Sequence, residues 1–117
     1  MDRQSIIDWV KNEYGTEPEY LWEDTPDCAV LRNQSGKWYG LIMNLSRRKF
    51  GIDSDEMVDV INLKADPMLI ESLIEEPGFY RAYHMNKRLW ISVLLDDSVP
   101  DVTIKGLIED SYSRTRK

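Results

Sequence analysis

The sequence predicts an α+β domain, an antiparallel β-sheet with helices packed on one face, in the order α-β-β-β-α-β-β-α. Three observations predict it. Apolar residues recur at spacings of three and four in three segments, near the beginning, middle and end of the chain. Between these segments lie runs rich in β-branched and aromatic residues. Four of the runs come as two pairs joined by short turn sequences, and hairpins imply antiparallel pairing. The 117 residues fit one domain, 1–117, and a hydrophobic fraction of 42% supplies one core.

Each element has a local reason. Asp2 can cap a first helix striped by Ile6, Ile7, Val10 and Tyr14, with Gly15 as its stop. Residues 15–27 read as an acidic loop pinned to the core by Tyr20, Leu21 and Trp22. Cys28 to Asn33 and Lys37 to Leu45 read as a hairpin turning at Gln34, Ser35 and Gly36. Ser46 to Glu56 is a polar loop, and Met57 to Lys64 a third strand with Val58, Val60 and Asn62 on one face. Asp66 followed by Pro67 starts a helix striped by Leu69, Ile70, Leu73 and Ile74, which ends at Pro77 and Gly78. Phe79 to His84 and Leu89 to Leu95 form the second hairpin, with Met85 to Arg88 as its turn. Ser98 resembles the start of a capping box for a last helix striped by Ile104, Leu107, Ile108 and Tyr112.

Composition limits the function classes. A single cysteine, Cys28, makes no internal disulfide and reads as a small buried hydrophobe in a strand. No apolar run approaches a membrane span or a signal-peptide core, so the expected location is cytoplasmic, with no membrane partner. The net charge of −6 opposes a general attraction to nucleic acid. The charge is sorted along the chain, however. Residues 31–49 carry five bases and no acid, and residues 77–95 carry three bases and no acid, while acids crowd the segments 1–30 and 50–76. The two acid-free segments coincide with the two predicted hairpins.

One His and one Cys cannot build an ordinary zinc site, and Asp53 to Glu56 lacks the remaining positions of a calcium loop. No Gly-rich phosphate loop is present. The sequence therefore predicts no catalytic residues, no metal and no cofactor, and not an enzyme.

Residues 62–67 (Asn-Leu-Lys-Ala-Asp-Pro), Gly78, residues 83–90 (Tyr-His-Met-Asn-Lys-Arg-Leu-Trp) and Val99-Pro100-Asp101 ahead of the last helix together resemble the MmcQ/YjbR family, with Lys37 to Gly40 on its hairpin strand. The resemblance spans nearly the whole chain. It implies a CyaY-like fold and a DNA-binding type described as a double wing, the wings being two β-hairpins. Two positions depart from the family's pattern. Ala65 stands where a Cys is frequent and Leu89 where a His is frequent, so thiol or second-histidine chemistry is not carried over.

The candidate nucleic-acid-binding residues are Lys37, Arg47, Arg48, Lys49, Lys64, Arg81, His84, Lys87 and Arg88. Cations on hairpin tips reach phosphates, and aromatic residues behind them hold the tips. The plain alternative is that such cations protect sheet edges from aggregation. For His84 a ligand contact and a local backbone hydrogen bond stand side by side. Pairing places Lys37, Lys64, Lys87 and Arg88 at one end of the sheet and Arg47, Arg48 and Lys49 at the other. Two functions follow: a small accessory or regulatory domain contacting DNA weakly and salt-dependently through its hairpins, or a protein-interaction module whose acids in 13–27 or 53–59 meet a basic partner.

Overall fold

Asp2 accepts a hydrogen bond from the Ser5 N–H at 2.8 Å and so starts α1, Arg3–Tyr14, in the computed structural model, which describes residues 1–117. Gly15 ends that helix at φ 70°. The strands are β1 (Ala29–Arg32), β2 (Trp38–Ser46), β3 (Met57–Lys64), β4 (Phe79–Arg81) and β5 (Trp90–Leu94). They form one antiparallel sheet in the order β1-β2-β3-β5-β4. Helix α2, Pro67–Leu73, begins where the Asp66 carboxylate accepts from the Met68 N–H at 2.8 Å, and α3 spans Asp101–Arg114. The element order is the one the sequence predicts.

Strand alternation sorts the side chains onto two faces. Ala29, Leu31, Ile42, Ile61, Leu63, Phe79, Ile91 and Val93 pack with Ile6, Val10, Ile70, Ile104, Leu107 and Ile108 of the three helices in a single core. A bulge sets β2 against β1: Leu31 opposes Gly40 and Arg32 opposes Trp38, leaving Tyr39 as the extra residue. Its ring turns into the helix side and its hydroxyl donates to Thr16 Oγ1 at 2.6 Å. Ser111 of α3 seals the end of the β2–β3 ladder. Its hydroxyl donates to the Tyr39 carbonyl at 2.6 Å and accepts from the Lys64 N–H at 3.0 Å.

The other face carries no helix, yet it is apolar. Val30, Leu41 and Met43 form one buried group, and Val58, Val60 and Leu94 another. Residues outside the strands roof them, Cys28, Tyr83 and Met85 over the first and Phe50 and Ile52 over the second, where Tyr80 of β4 joins them. This second, loop-made layer is absent from the sequence prediction.

Several boundaries differ for physical reasons. The second hairpin is shorter than expected, because the chain leaves the sheet after Arg81 and returns only at Trp90. His84, expected in a strand, sits at φ 60°, the left-handed region, as the chain reverses. The polar loop after β2 contains a 3-10 turn, Arg47–Phe50, capped by Ser46, whose hydroxyl accepts from the Arg48 N–H. Ser98 does not cap α3: its N–H and hydroxyl both turn back to Asp96, and no side chain caps that helix. Tyr20, Leu21 and Trp22 are exposed rather than pinned to the core. The acidic loop is instead tethered by Glu19, whose backbone pairs with Val30 and whose carboxylate meets Arg32 at 2.8 Å. Cys28 lies just ahead of β1 and is half-buried, not enclosed in a strand.

Candidate functional site

The site is organised by one loop, residues 82–89, folded back over the helix-free face. Two polar side chains point from the sheet into that face, Asn62 of β3 and Ser92 of β5, paired across the ladder and fully buried. Buried polar groups need partners, and the loop supplies them. Asn62 Nδ2 donates to the Tyr83 carbonyl at 3.0 Å, the Tyr83 N–H donates to Ser92 Oγ at 3.1 Å, and Ser92 Oγ donates to Asn62 Oδ1. Tyr83 is thereby fixed on the sheet, and its ring divides the face into two concavities.

On one side is a basic hollow of about 320 Å³. Phe50, Tyr80 and Tyr83 line it with Lys49, Arg81 and Lys87. Phe50 and Tyr80 are 5.2 Å apart between ring centroids, and the Lys49 ammonium stands 5.9 Å from the Tyr83 ring. Lys87 donates to the Ala82 carbonyl at 2.8 Å, and neither lysine has a carboxylate partner. The expected separation of Lys87 from Lys49 to opposite ends of the sheet is therefore incorrect. The 82–89 loop carries Lys87 across the face to the 3-10 turn that holds Lys49.

Of the remaining candidates only Arg81 shares this hollow with the two lysines. Arg47 bridges Asp96 at 2.9 Å and Glu56 at 3.0 Å, and Arg48 bridges Asp55 at 2.7 Å and Asp53 at 3.3 Å. These carboxylates raise both guanidinium pKa values, Asp96 contributing most at Arg47 and Asp55 most at Arg48. Arg81 makes a two-pronged pair with Glu71 of α2, at 3.0 and 3.1 Å, which raises its pKa and lowers that of Glu71. Three arginines of the predicted set thus already have their anions, and all four acids of 53–59 have cationic partners, Asp59 through Arg3. Arg88 lines a separate hollow with Pro67, Met68 and Glu71. Lys37 is exposed at the β1–β2 turn, and Lys64 closes β3 opposite Trp90. His84 sits on the far side of Tyr83, its ring 4.0 Å from the tyrosine ring.

That far side is a larger cleft of about 640 Å³, which sequence reasoning missed. Leu41, Met43 and Leu45 line it from β2, and Trp38 and Trp22 meet edge to face at 5.8 Å. Cys28, Asp24, Asp27, Tyr83, His84 and Met85 complete much of its rim. Burial pushes the Cys28 thiol pKa up, with a smaller opposing pull from Arg3. The only signal in the sequence was the unbroken apolar run in β2, which implies cover on both faces without saying what covers the second. No group of three or more His, Cys, Asp or Glu side chains is placed to hold a metal ion. No helix is long and apolar enough to cross a membrane.

Comparison with known proteins adds relatives to this geometry. The YjbR family model matches residues 12–114. The YyaQ protein of Bacillus subtilis (strain 168) is 41% identical over 117 residues, covering 99% of each chain. The YbdF protein of Escherichia coli O157:H7 is 33% identical over 118 residues, covering 97% of this chain and 86% of its own. A crystal structure of a Pseudomonas syringae protein superposes with a TM-score of 0.96 at 48% identity, over 99% of this chain and 100% of the other. The Deinococcus radiodurans protein DR2400 shares the fold at a TM-score of 0.76 and 24% identity, over 100% of this chain and 80% of its own.

Proposed function

The chain belongs to the YjbR family, and from that premise we propose that it is a small accessory binding domain that contacts nucleic acid through the basic hollow between the β2–β3 connection and the 82–89 loop. The observation that carries this reading is the convergence of Lys49 and Lys87 beside Phe50, Tyr80 and Tyr83. Each lysine comes from one of the two acid-free segments, and neither is neutralised by a carboxylate. Ammonium groups beside aromatic faces are what a sugar-phosphate backbone with an unstacked base requires.

The same geometry bounds the affinity. Two free lysines in the hollow, on a chain of net charge −6, give weak binding without sequence preference. Dissociation constants on the order of 10⁻⁴ to 10⁻⁶ M at physiological salt fit this kind of contact. With two phosphates neutralised, log affinity falls against log salt with a slope of roughly −2. Arg47, Arg48 and Arg81 contribute little, because binding phosphate would first break their ion pairs.

Fluorescence anisotropy with a labelled duplex and a labelled single strand of equal length tests the reading. The expected result is salt-sensitive binding, lost in the Lys49→Glu, Lys87→Glu double variant and retained in Arg48→Gln. Absence of binding at low salt with the fold intact, or binding indifferent to the double reversal, overturns it. Binding indifferent to the reversal would move the nucleic-acid contact elsewhere on the surface, whereas absence of binding would favour the protein-interaction reading. Its acids would then be Glu23, Asp24 and Asp27, which lack ion-pair partners, rather than those of 53–59, which have them.

A further inference from the structure

We propose that the larger cleft, on the other side of Tyr83 from the basic hollow, is a binding site for a small organic cation with an apolar body, of the alkylammonium class. Its volume of about 640 Å³ lies within the range of small-molecule sites. Its floor is the apolar face of β2, where Met43 offers a polarizable surface to an alkyl chain. Three aromatic rings stand around the opening, Trp22, Trp38 and Tyr83. Trp22 keeps 37% of its surface exposed although it leans on Trp38 at 5.8 Å, so an apolar occupant has area left to cover.

Charge decides the ligand class. Asp24 and Asp27 lie at the rim, and no Lys or Arg lines the cleft. Neither carboxylate has an ion-pair partner; Arg3 approaches Asp27 only at its backbone carbonyl and spends its other prong on Asp59. An anion entering here would meet two carboxylates beside the Trp22 and Trp38 rings, the cleft side of Tyr83 being taken by the His84 ring. A cation meets attraction from both, since aromatic faces favour an ammonium group, and most strongly the indole ring. The cleft and the basic hollow therefore select opposite charges, with the Tyr83 ring as the wall between them. Asn62 and Ser92 hold that wall in place without a ligand, so the cleft is formed in advance of binding.

Hexyltrimethylammonium is the probe, with hexanoate as its charge-reversed counterpart, read by calorimetry and by the indole N–H signals of Trp22 and Trp38 in NMR spectra. The cation is expected to bind saturably and at least about tenfold more tightly than hexanoate, the discrimination that cation–π and carboxylate contacts supply together. Trp22→Ala, at an exposed position, should weaken the cation without unfolding the domain. Asp24→Asn with Asp27→Asn should erase most of the preference over hexanoate while leaving the apolar contribution. The Lys49→Glu, Lys87→Glu variant should bind the cation as the parent does, which separates this site from the nucleic-acid reading. No saturable shift at about 20 mM probe, far above the mM affinities of weak specific sites, would overturn the proposal. So would equal affinity for hexanoate, or a preference that survives both aspartate changes.

Discussion

The side-chain amide of Asn62, fully buried in the middle of β3, donates to the backbone carbonyl of Tyr83, twenty-one residues away, at 3.0 Å. With Ser92 it forms a closed set of hydrogen bonds that holds the 82–89 loop against the sheet. Both concavities of the helix-free face depend on it, because the Tyr83 ring is a wall of each.

Replacing Asn62 by Leu should therefore do two things. It strands the Tyr83 carbonyl and part of the Ser92 hydroxyl's pairing, a loss of about 1–3 kcal/mol in unfolding free energy by urea denaturation. It also frees the loop, so amide exchange at Tyr83 and its neighbours should accelerate more than exchange in α1 or α3. Loop amides that keep parent protection in this variant would show that packing, not the clamp, holds the loop.

Gly78 turns the chain from α2 into β4 at φ 87°. A Cβ there would lie 2.5 Å from Ser98 Oγ and 2.6 Å from Val99 Cγ2. Gly15 also has positive φ, at 70°, but a Cβ there meets nothing within 4 Å. Gly15→Ala should thus cost about 1 kcal/mol from backbone strain alone. Gly78→Ala adds overpacking of about 1–3 kcal/mol to the same strain. Thermal or urea midpoints of the two variants measured side by side check the difference, and equal losses would contradict it.

Tyr39 is enclosed at the bulge, and burial pushes its hydroxyl pKa well above the ordinary tyrosine value of 10.0, against a smaller pull from the Thr16 hydrogen bond. The folded state therefore favours the protonated phenol. Its contribution to stability is complete below the unfolded pKa of about 10 and is lost as pH rises beyond it toward the folded value. Tyr39→Phe should cost about 0.5–1.5 kcal/mol near neutral pH, for the lost bond to Thr16. The same variant should show a smaller decline in its urea midpoint above pH 10 than the parent. A parallel decline in the two proteins would assign the alkaline loss to other groups, Tyr14 first among them, since burial raises its pKa as well.

Helices, the caps of α1 and α2, and strand faces were legible because their causes lie within a few residues. Asp2 finds Ser5, Asp66 finds Met68, and Val58, Val60 and Asn62 alternate onto one face by the pleat alone. The family, too, was readable from residues 62–67 and 83–90. What the candidate residues do was not, because it is settled by partners far along the chain. Arg47 is neutralised by Asp96, forty-nine residues away, while Lys49, two positions on, stays free and lines the same hollow as Lys87. A basic run such as 47–49 gives no sign of which members will be paired. Asn62 read as one more position on a strand face, and only its tertiary partners make it the anchor of a loop. The cleft was invisible for the same reason: its walls come from residues 22–28, 38–45, 57 and 83–85. Periodicity describes one element against one core, whereas a second apolar face roofed by loops exists only once non-local hydrogen bonds have brought those loops over it.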